Sequence, residues 1–178
     1  MQRILTNARV FTALDETVIE DGCVCIDGNQ IIYAGESAGK PNLEPNSISH
    51  NLEGRFVMPG MTETHAHLSF ADASPFSIGD TTVEDATITA VKNSRLMLAS
   101  GFTSAVSFGS TYQIDIALRA AINSGRVIGP RLLAAGRDLG ATSSNVDSPG
   151  GLSQIADGPW SLRKAVREQR KIGVDVVK

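Results

Sequence analysis

The chain has 178 residues, of which 42% are hydrophobic and 20% charged, and its net charge is −3. This supports a buried core over one domain or one and a half, excludes a disordered chain, and gives no electrostatic case for nucleic acid or an anionic membrane as partner. No apolar run approaches the ~18 residues needed to cross a bilayer, and the N-terminus has no uninterrupted apolar core or cleavage site, so no signal peptide is expected and the cytoplasm is the default compartment.

Residues 1–56 read as all-β. Residues 3–11 alternate loosely, and 18–26 and 30–34 are strand-like runs around Asp27-Gly28-Asn29. Asp-Gly between β-rich runs is a hairpin signal. A polar loop with Pro41 and Pro45 follows over 35–46, then a short extended piece at 47–52 and a turn at Glu53-Gly54. Small antiparallel β-structure is expected, with His50 on its surface and no metal role. Cys23 and Cys25 point the same way if they lie on a strand, yet no zinc-finger spacing surrounds them. They read as two small, half-buried side chains in a reducing compartment.

Residues 57–68 read VMPGMTETHAHL. Pro59-Gly60 breaks any helix. In a strand His65 and His67, being i and i+2, point to one face and aim two imidazoles at one place, as a chelated divalent ion requires. Two of the three histidines of the chain sit in this one tripeptide.

Beyond His67 the pattern alternates between helix and strand. A polar loop with Pro75 is expected over 72–80. Thr81-x-x-Glu84 has the form of a capping box, and Val83, Ala86, Ala90, Val91, Met97 and Leu98 mark a helical face to about Ser100. Residues 103–108 read as a strand, 114–125 as a second helix ending at Gly125, and 131–135 as a third strand after Pro130. Residues 136–158, rich in Gly, Ser and Asp, read as a long loop, and loops of that length are usually functional. Pro159 suits a helix start. Trp160, Ala165, Val166, Gln169 and Ile172 read as the inner face of a third helix, with Arg163, Lys164, Arg167, Arg170 and Lys171 outside it. Gly173 ends that helix, 174–177 read as a fourth strand, and Lys178 ends the strand. Such alternation predicts right-handed βαβ units and a parallel sheet. No phosphate-cradling glycine loop follows any strand, which excludes a sheet-based nucleotide-binding protein.

The Val57-Met58-Pro59-Gly60 turn leading to His65-Ala66-His67-Leu68 resembles the entry motif of the metal-dependent amidohydrolase superfamily. Residues 170–178, RKIGVDVVK, resemble the strand-four segment of its branch holding prolidase-like peptidases and imidazolonepropionase-like enzymes. Glu63 stands where the family usually has Asp. The resemblance extends over essentially the whole chain. It implies an α/β fold: a (β/α)8 TIM-type barrel whose first four strands lie within 57–178, preceded by part of a small β-sandwich at 1–56. Its chemistry would sit at the C-terminal strand ends.

The resemblance further implies that His65, His67 and Lys178 are metal ligands, with Lys178 carboxylated by CO2 to a carbamate. A neutral amine can trap CO2 and so become an anionic, bidentate oxygen donor suited to joining two cations. The implied cofactors are two divalent ions, zinc first, with Mn2+ or Co2+ as alternatives. The implied function is hydrolysis of a C–N bond (amide, peptide or cyclic amide) of a small-molecule substrate through a metal-bridging hydroxide, in a homo-oligomer.

Two more His, after strands five and six, and an Asp general acid/base after strand eight are expected beyond residue 178. The chain is therefore read as part of a longer polypeptide that needs the rest of its barrel. Residues 107–110 and 137–151 should face the pocket, making Ser107, Arg137, Ser143 and Asn145 candidate substrate contacts. Arg131 or Arg137 would suit a carboxylate. Several peptidase-like relatives carry Gly-Gly-His after strand three, and residues 138–145 have no His. A carbamate, urea or ester hydrolase or a deaminase on the same barrel, and a non-catalytic metal-binding relative, stay open as alternatives.

Overall fold

The computed structural model describes residues 1–71, 81–147 and 152–178. The loop expected over 72–80 lies outside the described residues, as do positions 148–151 of the expected 136–158 loop. The chain forms two compact units, Met1–Pro59 and Gly60–Lys178. Among the described residues no helix is long and apolar enough to cross a membrane.

The first unit is one five-stranded sheet built on β1 (Gln2–Phe11). β2 (Val18–Asp27) pairs with β1 antiparallel, and β3 (Gln30–Glu36) pairs with β2 antiparallel across the expected Asp-Gly turn, where Gly28 takes a φ of 58°. Contrary to expectation the unit is not wholly antiparallel. β4 (Ile48–Asn51) and β5 (Phe56–Val57) run parallel to β1, along its first and last parts respectively. The long connection over 37–47 carries the chain back to the start of β1, so β4 enters in the same direction. Asn7, in the left-handed region at φ 51°, breaks the β1 register between the two partners. Its carbonyl accepts from Gly54 N at 2.8 Å, inside the turn joining β4 to β5. Cys23 and Cys25 are fully buried with Ile4, not half-buried, because Tyr33 and Leu43 pack over them. His50 is exposed on β4.

In the second unit, β6 (Met61–Ala66), β7 (Phe102–Ser107) and β8 (Arg131–Ala134) form a parallel sheet in that order. Helix α1 (Val83–Ala99) connects β6 to β7, and α2 (Ile114–Asn123) connects β7 to β8. Their small residues let the helices lie close on the sheet: Ala86, Ala90, Ala105, Ile114, Leu118 and Leu132 share one buried cluster with Ala66 and Leu68. The α1 cap lies one residue later than the expected box. Thr82, with extended backbone, is the capping residue, and its hydroxyl accepts from Asp85 N at 3.2 Å.

Three further expectations are corrected. The 136–158 segment is not all loop: β9 (Asp138–Gly140) and β10 (Ser153–Ile155) pair in parallel within it. On α3 (Gly158–Ile172) the buried residues are Ala165 and Gln169, whereas Trp160 is 79% exposed and Val166 and Ile172 are also exposed. At 3.6 residues per turn Trp160 stands about 140° round the helix from Ala165, too far to share its face, and its ring carries the Arg163 guanidinium instead. Lastly, 174–177 does not extend the sheet as a fourth strand. Asp175 N and Val176 N both turn to Ala134 O, at 2.8 and 3.4 Å, and the Asp175 carboxylate accepts from Ala134 N at 2.8 Å. That side chain, also paired with Arg119, occupies the backbone donor a ladder would use.

Candidate metal centre

His65 is the penultimate residue of β6, and His67 is the first residue past its end. Their ring centroids lie 5.2 Å apart, so the i, i+2 spacing does bring both imidazoles to one side. The segment is fastened from behind by Asn93 of α1, whose side-chain amide donates to Leu68 O at 2.9 Å and Phe70 O at 3.0 Å. Phe70 stacks on His67 with centroids 4.5 Å apart and planes within 6°. Glu63 turns back along its own strand and accepts from His65 N at 2.9 Å.

The end of β7 supplies the next shell. Phe108 N donates to Ala66 O at 2.8 Å, and the Phe108 ring meets His65 edge-on with centroids 5.2 Å apart. Gly109 O lies 3.0 Å from His67 Nδ1. A protonated Nδ1 satisfies that carbonyl and leaves the Nε2 lone pair for a cation, the usual way a ligating imidazole is oriented. Burial chiefly pushes His67 below the ordinary imidazole pKa. Its bond to Gly109 opposes that, while the nearby Lys178 and His65 charges add to it. A neutral imidazole is the ligating form.

Lys178 reaches the same place from the far end of the unit. Leu139 N donates to its carbonyl at 2.9 Å. Its Nζ sits 5.6 Å from the Phe108 ring centroid and 3.1 Å from Asp138 Oδ2. His65 and Lys178 thus pack on one phenyl ring although 113 positions separate them in the sequence. Asp138 and Phe108 were not singled out by the sequence; the available signal for Asp138 was an acid four residues past a strand end, on the rim side.

Beneath these residues lies a buried polar layer. The Ser110 hydroxyl donates to Ser69 Oγ at 3.2 Å and accepts from Asp115 N at 3.3 Å. Asp115 Oδ2 accepts from Ala135 N and Gly136 N, each at 3.0 Å, which ties the end of β8 to the start of α2. Burial pushes the Asp115 carboxyl above its ordinary range, against the lowering effect of those N–H donors.

The candidate substrate contacts scatter. Ser107 is fully buried at the end of β7, where its carbonyl accepts from Ala135 N at 3.0 Å. Arg137 is half-buried, and its carbonyl accepts from Gln169 Nε2 at 3.2 Å. Ser143 and Asn145 are exposed between β9 and β10, and Ser143 N donates to Asp147 Oδ2 at 2.8 Å.

The donor chemistry fits a divalent cation: two imidazoles, a primary amine, and a buried carboxylate whose Oδ1 has no hydrogen-bond partner. Among the described residues no three His, Cys, Asp or Glu side chains already surround one ion position.

Residues 56–178 match the sequence profile of the Amidohydrolase family. The chain is 37% identical over 70 residues to an imidazolonepropionase of Roseobacter denitrificans, an alignment covering 38% of this chain and 18% of the relative. It is 37% identical over 73 residues to an imidazolonepropionase of Caulobacter vibrioides, covering 39% and 18%. Among solved structures, a prolidase complexed with N-methylphosphonate-L-proline is similar with a TM-score of 0.82 at 26% identity, over 100% of this chain and 46% of that one. The chain thus spans less than half the length of the structural relative and aligns with about a fifth of the curated ones.

Proposed function

This chain belongs to the amidohydrolase family, and on that premise we propose that the protein of which it forms part hydrolyses a C–N bond of a small molecule, an amide, peptide or cyclic amide, at a centre of two divalent ions. Relatives named imidazolonepropionase and prolidase support the bond type. In this reading β6 to β8 begin a (β/α)8 barrel, and the N-terminal sheet belongs to a small sandwich.

The observation that carries the proposal is the meeting of His65 and Lys178 on the Phe108 ring, with His67 beside His65, at the ends of β6 and β7. His65 and His67 hold one ion. Lys178, once its ammonium has lost two protons overall and Nζ has bonded to the carbon of CO2, would offer carbamate oxygens as anionic donors to the centre. Gly109 O fixes the His67 tautomer, and the Phe70 ring covers one face of the half-buried His67, while His65 is exposed with Phe108 at its edge. When bound, divalent ions would lower the pKa of their water to about 7 and polarise a substrate carbonyl. Proton transfer is assigned to an Asp supplied by the rest of the polypeptide. Ser107, Arg137, Ser143 and Asn145 are the substrate-side candidates.

The test is metal analysis and native intact-mass measurement on the complete protein. Zinc should bind at two ions per chain, with one CO2 increment on Lys178. A chelator should abolish hydrolysis and added Zn2+ or Mn2+ restore it. Lys178→Ala should lose at least one ion. An active holo-protein with one ion per chain and an unmodified Lys178 would replace this reading with a mononuclear one.

A further inference from the structure

Asp138 is a buried carboxylate that the reading above does not use. Its side chain is 5% exposed; Oδ2 pairs with Lys178 Nζ at 3.1 Å, and Oδ1 is buried without any hydrogen-bond partner. An unsatisfied buried acceptor costs on the order of 1–3 kcal/mol, and more when charged, so it calls for an explanation.

Gly109 shows where that oxygen faces. A Cβ placed on Gly109 would stand 2.2 Å from Asp138 Oδ1 and 3.2 Å from His67 Cε1. The carboxylate oxygen and the imidazole edge therefore border the same small gap, kept open because residue 109 has no side chain. Nδ1 of that imidazole is already engaged by Gly109 O, so the ring nitrogen left with a lone pair is Nε2.

We propose that Asp138 is a further metal ligand, its Oδ1 donating to the divalent centre of His65 and His67 while Oδ2 accepts from the N–H that Nζ of a carboxylated Lys178 retains. The inference rests on the metal reading above. Its chemistry is consistent: a carboxylate oxygen joins imidazole nitrogen readily on zinc or manganese. Two divalent ions bring four positive charges, and His65 and His67 bind as neutral rings. The carbamate, the hydroxide and the Asp supplied by the rest of the polypeptide offset at most three of these charges, so a further anion within the centre lowers the remaining excess. The competing explanation, that Asp138 is only the counter-ion of Lys178, leaves Oδ1 unexplained.

The test uses the complete protein, stripped with a chelator and titrated calorimetrically with Zn2+ as wild type, Asp138→Asn, Lys178→Met and the double variant. Asp138→Asn should weaken zinc binding by ten- to a hundredfold or more, and the same loss should persist in the Lys178→Met background. A Kd within twofold of wild type, or a loss that vanishes once Lys178 is gone, leaves Asp138 as counter-ion only and overturns the proposal. A crystal structure of the zinc-loaded wild type tests it without any variant. Oδ1 should lie about 2.0–2.2 Å from an ion, and both Asp138 oxygens beyond about 3 Å would overturn it. Wild-type protein that binds no zinc would instead defeat the metal reading itself, and this inference with it.

Discussion

Gly109 is where the centre has least room. Its φ of +116° is a conformation L side chains rarely adopt, and any Cβ there runs into Asp138 and His67. Gly109→Ala should lower the denaturation midpoint by the equivalent of about 1–3 kcal/mol, with the denaturant slope unchanged. Asp115 makes a different kind of prediction. Burial raises its folded pKa, so between its unfolded value near 4 and that raised value the folded state holds more protons than the unfolded one. Stability from this group therefore falls as pH rises through that window. Asp115→Asn lacks the titration but turns an amide nitrogen toward an N–H whichever way it is flipped, given donors on both oxygens. Denaturation from pH 3 to 7 should show the variant less stable throughout, with the gap narrowing as pH rises; a constant gap would mean that Asp115 titrates alike in both states, and a widening one that it stays ionised when folded. The side-by-side placement of the His65 and His67 rings was legible in the sequence because i, i+2 spacing is a local signal, whereas Lys178 reaches Phe108 without the strand expected over 174–177. The role of Gly109 was not legible, since its constraint comes from Asp138, 29 positions away.

At the scale of elements, the helix ends carry separable energies. Thr82→Ala removes the hydroxyl that accepts from Asp85 N and should cost about 1 kcal/mol. Thr81→Ala, at the position the sequence pattern favoured, should change stability by less than half of that in the same urea titration. Thr-Thr offers two equivalent caps one residue apart, and only the packing of Ala86 and Ala90 against the sheet selects between them. The same limit explains the fourth strand. Val-Asp-Val-Val has a strand's composition, yet Asp175 is drawn to Arg119 and Ala134 N, partners that no local window contains. The β9–β10 pair was hidden because each strand is three residues long and finds its partner across a 12-residue gap.

At the scale of the whole molecule, the two units differ in what they can report. Both cysteines of the chain belong to Met1–Pro59, and Gly60–Lys178 contains none. Cys23 and Cys25 are fully buried, and burial, with Cys25 alongside, raises the Cys23 thiol pKa. A thiol reacts as thiolate, so alkylation must await exposure of the β1–β2–β3 interior. The chain thereby carries its own clock for one half of its structure. Under mild conditions, iodoacetamide uptake followed by mass spectrometry should proceed far more slowly than in a urea-unfolded control. Both thiols should be modified together, since one opening event uncovers the pair. Chelation or zinc loading at the histidine site leaves that tempo unchanged if the N-terminal sheet breathes independently, and alters it if the two halves share their fluctuations.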